Sequence, residues 1–255
     1  MRIKYYIAAT LLVAIFLGSC SRNFVAIDYT NAKGEVPQLG NLIFRFNKSL
    51  YPDSLLNNWD STDYISFEPK IEGRFRWNGP DELVFSPSQP LLPATNYQAH
   101  MKNEVLHYSQ YNDIKDGDKI SFHTAPLQLD DAQLTWVLQD ENSRTAVPQV
   151  DIKFNYPVQP EELKEKMTIE VEGKKYDYAL QNIGVSNEVI VRLNAFRPED
   201  RTYDAEIKID KGIKPEKGQN TTAEAIKTQL SIPSPYVLNI NKVESEHDGT
   251  EGVVR

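Results

Sequence analysis

The chain alternates apolar and polar positions with a period of two over most of its length, the signature of half-buried β-strands. The pattern is cleanest between Phe67 and Met101. Phe75 and Trp77 share one face there and Arg74 and Arg76 the other, Asn78-Gly79-Pro80-Asp81 supplies turn chemistry, and Leu83 and Phe85 resume the alternation as the second arm of a hairpin. Pro87, Pro90 and Pro93 then interrupt regular pairing until Tyr97, Ala99 and Met101 alternate again. Upstream, Phe24 to Tyr29 can pair as a first strand, Leu42 to Phe46 reads as a strand, and Asp53 to Leu56 as one helical turn. Downstream, Leu106 to Asp118 reads as a loop and Lys119 to Thr124 as a closing strand before Pro126.

The same plan then recurs. Ala132 to Leu138 is a strand, and Val147-Pro148 repeats Val36-Pro37. Ile152-Lys153-Phe154-Asn155 echoes Phe44-Arg45-Phe46-Asn47, and the segment from Val158 to Leu163 echoes that from Leu50 to Leu55. Met167 to Val171, Tyr176 to Leu180 and Glu188 to Leu193 supply middle strands. Phe196 to Ile207 copies the proline-to-tyrosine corner, with Tyr203 standing where Tyr97 stands, and Ile226 to Ile232 closes the copy. Matching segments lie 106 to 111 residues apart, close to the roughly 100 residues of an immunoglobulin-like sandwich. Tyr97 and Tyr203 fit the tyrosine corner of such sandwiches, a structural role that their recurrence favours over ligand stacking.

The start of the chain has a different character. Arg2 and Lys4 precede an apolar run of eleven residues, Ile7 to Leu17, about half of the roughly twenty needed to span a bilayer as a helix. A positive start, a short apolar core and small residues describe a secretory signal. Leu17-Gly18-Ser19-Cys20 resembles the bacterial lipobox, which implies that Cys20 is lipidated and becomes the first mature residue; an ordinary signal peptide with an incidental cysteine is the alternative. Cys20 is the only cysteine, which excludes a disulfide within one chain and any other cysteine-based metal site or nucleophile. The expected organisation is a signal peptide over 1–19, a tether with a possible first strand over 20–35, sandwiches over 36–126 and 127–233, and the start of an incomplete third domain over 234–255. In that tail, Tyr236 to Asn241 reads as a strand and the segment from His247 to Thr250 as a turn.

Composition narrows the function classes. The net charge of −8 argues against nucleic acid, whose affinity comes mainly from Lys and Arg neutralising phosphates. Fifteen prolines and thirteen tyrosines suit an all-β fold. His100 and His123 fall on polar strand faces, and His107 and His247 in loops; no HExxH or GxSxG motif accompanies them. Asp113, Asp116 and Asp118 could hold a calcium ion, but their spacing does not match a calcium loop, and Gly117 favours a solvated turn. The scattered carboxylates offer no acid–base pair. Trp59, Trp77 and Trp136 could form a sugar platform, yet Trp77 and Trp136 fit inward positions, leaving Trp59 alone in a polar loop. Arg74 and Arg76 read as a solvated strand face before an anion site. No catalytic residue, metal site or cofactor is expected.

One resemblance covers nearly the whole chain. Cys20, Phe44-Arg45-Phe46-Asn47, Glu68-Pro69-Lys70-Ile71-Glu72-Gly73, Phe85-Ser86-Pro87, the segment Pro90-Leu91-Leu92-Pro93-Ala94-Thr95-Asn96-Tyr97, and Phe122-His123-Thr124-Ala125-Pro126 together resemble the amino-terminal region of bacterial alpha-2-macroglobulin lipoproteins, especially of the Bacteroidetes type. The resemblance implies an all-β fold of tandem immunoglobulin-like (macroglobulin-like) β-sandwich domains after a lipoprotein signal peptide. In that family such domains build a cage, a bait region is cut by a protease, and the shape change traps the attacker. Some members add a Cys-Gly-Glu-Gln thioester, which a chain whose only cysteine is Cys20 cannot form, and 255 residues leave no room for the bait region. The expectation is therefore a non-enzymatic scaffold at the bacterial envelope, facing the periplasm or cell surface. Its partners are the membrane through the lipid anchor and, in a longer form, target proteases. The alternative is an Ig-like lipoprotein that binds a partner protein or a glycan.

Overall fold

The structure is a computed structural model that describes residues 24–115 and 119–237, with the backbone of 245–248 and 251–254. Cys20 and the expected signal peptide, Asp116 and Asp118 of the acidic loop, and residues 238–241 of the expected tail strand lie outside the described residues. The chain divides into two compact units, Met1–Ala125 and Pro126–Arg255. Each holds an all-β sandwich.

In the first unit, one sheet runs in the order β4 (Trp59–Asp60), β6 (Gly73–Gly79), β7 (Glu82–Pro87), β3 (Leu42–Phe46), β1 (Val25–Thr30) and β9 (Ile114–Lys115). The facing sheet is β2 (Gly34–Val36), β10 (Ile120–Thr124), β8 (Asn96–Met101) and β5 (Ile65–Glu68). The alternation seen in the sequence sets this packing. Phe75 pairs with Phe85 and Trp77 with Leu83 across the hairpin, and all four are buried. Phe85 meets Phe67 of the other sheet at 4.6 Å and Phe75 at 4.7 Å. Burying each such ring is worth about 1.5–3 kcal/mol. Val25 and Ala32 are fully buried, so the sandwich takes in strands from the 20–35 stretch. The loop expected from Leu106 to Asp118 is more ordered than its sequence suggests. A 3₁₀ turn at Asn103–Leu106 leads into it, and β9 pairs with β1 in parallel.

In the second unit, one sheet is β11 (Leu129–Leu138), β12 (Ala146–Val158), β16 (Ser186–Arg192) and β15 (Ala179–Leu180). The other is β14 (Lys174–Tyr176), β13 (Met167–Val171), β17 (Tyr203–Ile209) and β18 (Ile226–Ile232). The single strand expected from Tyr176 to Leu180 is therefore two, with the chain changing sheets at Asp177-Tyr178. Tyr178 anchors that switch, its hydroxyl bonding the carbonyls of Lys164 and Met167 at 3.1 Å each. Helix α1 (Pro160–Lys166) starts on proline, carries Glu161 and Glu162 in its first turn and Lys164 and Lys166 in its last, and buries Leu163. Its counterpart in the first unit is the 3₁₀ turn Asp53–Leu55, which follows Pro52. A final hairpin pairs β19 (Ser245–Asp248) with β20 (Glu251–Val254) and sets His247 opposite Gly252, in a strand instead of the expected turn.

The copies share details beyond their outline. β1 and β11 both carry a bulge near their starts, between Ile27 and Tyr29 and between Leu129 and Asp131. Beside each bulge an asparagine extends the ladder with its side chain. Asn47 N–H donates to the Ala26 carbonyl, and Ala26 N–H to Asn47 Oδ1, both at 2.9 Å. Asn155 N–H donates to the Gln128 carbonyl at 3.2 Å, and Gln128 N–H to Asn155 Oδ1 at 3.0 Å. One difference is local. Seven positions separate Pro37 from Phe44, and four separate Pro148 from Ile152. The longer first segment lets β2 cross to the second sheet before β3 begins, whereas the shorter one runs straight on as the thirteen-residue β12. Asn155→Ala removes the acceptor for Gln128 and the donor to the Pro126 carbonyl; it should lower the unfolding free energy of the second unit by about 1–2 kcal/mol in urea titration.

Candidate functional site

Three of the segments that carry the family resemblance, 85–87, 90–97 and 122–126, meet at the corner between β7 and β8. Tyr97 is buried, stacks on Phe122 at 5.2 Å, and its hydroxyl accepts the Leu92 N–H at 2.8 Å. Thr95 N–H donates to Thr124 Oγ1 at 3.0 Å, Thr124 Oγ1 donates to the Leu92 carbonyl at 2.7 Å, and Thr95 Oγ1 donates to the Pro93 carbonyl at 2.7 Å. Both threonines are buried. In the second unit Tyr203 takes the Glu199 N–H at 2.6 Å, and Ser234 Oγ donates to Asp200 Oδ1 at 2.7 Å where the threonines stand in the first. These corners hold the fold; their polar groups are taken up by backbone and, at Ser234 and Asp200, by each other.

The outer face of the first sheet is where side chains remain available. A ladder crosses it from strand to strand. Arg45 on β3 bonds Glu82 on β7 at 2.7 Å, Asn78 on β6 reaches Glu82 Oε1 at 3.4 Å, and Arg76 Nε donates to Asn78 Oδ1 at 2.8 Å. The Arg76 guanidinium then lies 4.6 Å from the centre of the Trp59 ring on the edge strand β4. Glu82 raises the Arg45 pKa above its ordinary value through a hydrogen bond and its charge. Beneath the ladder Val84 is buried, flanked in register by Ile43 and Arg76. At the end of this sheet two adjoining hollows share Ser86, Pro87 and Ser88. Trp59, Gly73 and Arg74 complete the first, and residues 38–41 of the β2–β3 connection, with Gln89 and Pro90, complete the second. Gly73 is required there, because a Cβ would stand 2.4 Å from both Phe85 and the Ser86 carbonyl oxygen.

The three tryptophans thus part company. Trp77 is core, stacked on Tyr51 at 4.9 Å. Trp136, expected in the core, is only half-buried, and its indole N–H donates to the Pro233 carbonyl at 3.0 Å. Trp59 remains 45% exposed, and no sugar platform of three exists. His100 and His123 sit half-buried on β8 and β10, and His123 Nδ1 lies 3.3 Å from the Gly34 carbonyl. Exposed His107 follows the 3₁₀ turn and meets Tyr108 edge-on at 4.6 Å. Among the described residues no helix is long and apolar enough to cross a membrane.

A tandem all-β, immunoglobulin-like architecture is the class that this fold defines, and the comparisons point within it. No protein-family model matches the chain. It is 27% identical over 201 residues to an alpha-2-macroglobulin homolog of Yersinia pestis, covering 74% of this chain and 10% of that protein. To the alpha-2-macroglobulin of Pasteurella multocida it is 21% identical over 267 residues, covering 94% of this chain and 14% of that protein. To that of Rickettsia conorii it is 23% identical over 193 residues, or 72% and 10%. The chain spans about a tenth of the length of the curated relatives it matches. The similarity supports a relationship to bacterial alpha-2-macroglobulins, in agreement with the motif resemblance.

Sequence reasoning did not reach a carboxylate–phenol pair at the margin of the first core. Tyr64 donates to Asp60 Oδ2 at 2.7 Å, and Thr62 N–H donates to Asp60 Oδ1 at 2.7 Å. Burial, then Asp60 and Tyr51, push the Tyr64 phenol well above its ordinary range. Burial works against the Asp60 carboxylate, but the bonds from Tyr64 and Thr62 outweigh it and hold its pKa below the ordinary carboxylate value. A depressed carboxylate contributes stability above its unfolded pKa that is lost as the pH falls through the folded one. Tyr64→Phe should therefore destabilise the first unit by about 1–2 kcal/mol at pH 7. The gap between variant and wild type in thermal melts should close as acid protonates Asp60.

Proposed function

We propose that this chain serves as a non-enzymatic scaffold in a protease-trapping protein of the alpha-2-macroglobulin type. The observation that carries the reading is similarity to three such bacterial proteins over 72 to 94% of this chain. Two repeats of one sandwich, each locked by its own tyrosine corner, suit a part whose task is to hold geometry. The polar groups of those corners are spent within the corners themselves, in keeping with a structural role. The finer elements of the reading are a Bacteroidetes-type lipoprotein, an anchor on Cys20 and an envelope location facing the periplasm or the surface. The type rests on the sandwich motifs together with Cys20, and the anchor and location on the Leu17-Gly18-Ser19-Cys20 motif and the apolar run before it.

The scaffold role predicts that the purified chain leaves a protease fully active on a large protein substrate. A longer protein that carries this chain should protect such substrates while small peptides are still cleaved. Inhibition by the 255 residues alone would overturn it. The anchor is tested apart. Metabolic labelling with a fatty-acid analogue should mark the protein, and Cys20→Ala should abolish the label and move the protein to the soluble fraction. The shift should be large, because several acyl chains hold firmly where one binds only marginally. Label that survives the substitution would refute lipidation at this position.

A further inference from the structure

We propose that the furrow at the end of the first sheet of the first unit is a binding site for an acidic saccharide, with Trp59 as its stacking platform and Arg74 as its carboxylate-recognising group. The proposal does not rest on the protease-trap reading. A tryptophan is the side chain with most to gain from burial, yet Trp59 keeps 45% of its surface in water. It is nevertheless fixed. One face carries the Arg76 guanidinium, and Arg76 is braced through Asn78 and Glu82 to Arg45. An exposed ring held by a chain of bonded partners has already lost the freedom that binding would otherwise remove, so the usual ordering cost of a contact is small.

The surroundings indicate what the ring would meet. Ser86, Ser88, Gln38 and Asn41 line the two adjoining hollows; the Ser88 hydroxyl and the Gln38 amide already donate to backbone carbonyls, which leaves their oxygens to accept from the hydroxyls of a sugar. The furrow crosses strands β6 and β7 at their paired ends, so its floor displays side chains, with the edge strand β4 at its margin. Charge selects within saccharides. Neither hollow is lined by Asp or Glu, in a chain with eight more acidic than basic residues. The Arg74 side chain is exposed, and among the described residues it has no ion-pair or hydrogen-bond partner. Its planar fork matches a carboxylate in two parallel bonds.

The test is calorimetric titration of the full chain with trigalacturonic acid and, as a neutral counterpart, maltotriose. The acidic sugar should bind at least about tenfold more tightly. Trp59→Ala should weaken both interactions by about tenfold or more, whereas Arg74→Gln should leave the neutral sugar unchanged and erase the preference for the acidic one. Both side chains are exposed, and unchanged melting temperatures would show that the variants fold. No measurable heat with either sugar, or binding untouched by Trp59→Ala, would overturn the assignment. Binding of an extended peptide at Trp59 without sugar binding would overturn it as well, and would give the furrow to a protein partner.

Discussion

A sandwich has to carry its chain from one sheet to the other, and at the crossing the backbone loses its ladder partners. Every buried N–H left unpaired there costs about 1–3 kcal/mol, so the crossing is the point on which this fold depends. Between Pro90 and Thr95 the chain meets that constraint completely. Pro90 and Pro93 have no N–H to satisfy. Leu91 donates to the Gln38 carbonyl, Leu92 to the Tyr97 hydroxyl, Ala94 to the Ala125 carbonyl and Thr95 to Thr124 Oγ1. All four non-proline donors are paired, and Ala94 is held at a φ of 42° to allow it. The recurring proline-to-tyrosine motif is the sequence trace of this solution.

The second unit solves the same problem with different residues, which separates what the fold requires from what it tolerates. Tyr203 repeats the phenol-to-backbone bond, but Ser234 and Asp200 replace the threonine pair. The cores differ as well. The first unit packs Phe44, Phe46, Phe67, Phe75, Phe85 and Phe122, whereas the second relies on valines and isoleucines such as Val150, Ile152, Val189, Val191 and Ile207. Area removed from water, not ring chemistry, is what a sandwich needs. The exposed arginine-backed tryptophan belongs to the first unit and has no echo in the second, as expected of a feature the fold does not demand.

Much of this was legible in the sequence because strand period, proline and tyrosine act locally. Phe75, Trp77, Leu83 and Phe85 face inward as their alternation says, and the repeat finds both corners. What escaped depends on contacts between distant segments. Neither parallel pairing, β9 with β1 and β2 with β10, has a turn to announce it. The sheet switch at Asp177-Tyr178 sits inside a run that alternates as if continuous, and Tyr178 is fixed by carbonyls eleven and fourteen residues away. Trp136 occupies an inward-reading position on a strand that lies at the edge of its sheet, so burial there is incomplete. The matched bulges leave only a weak trace in the sequence, Val25-Ala26-Ile27-Asp28 against Leu127-Gln128-Leu129-Asp130. The furrow gathers residues from four separate segments between 38 and 90, so no single motif spells it.

The corner and the furrow are nonetheless one piece of construction. Gln38, which lines the furrow, accepts the Leu91 N–H at 2.9 Å and returns its own amide to the Leu91 carbonyl at 2.6 Å. Ser88, on the shared wall, bonds the Glu72 carbonyl through both its N–H and its hydroxyl, at 2.8 and 3.0 Å. The far wall is thus tied to the same proline segment that Tyr97 locks, and the near wall to the strand that carries Arg74. A site whose walls are set by the fold's own crossing needs little rearrangement to accept a ligand, and precise placement of that kind is what polar recognition requires. Divergence between the repeats follows from this. Once the corner is secured in each copy, the outer face of one is free to differ from that of the other.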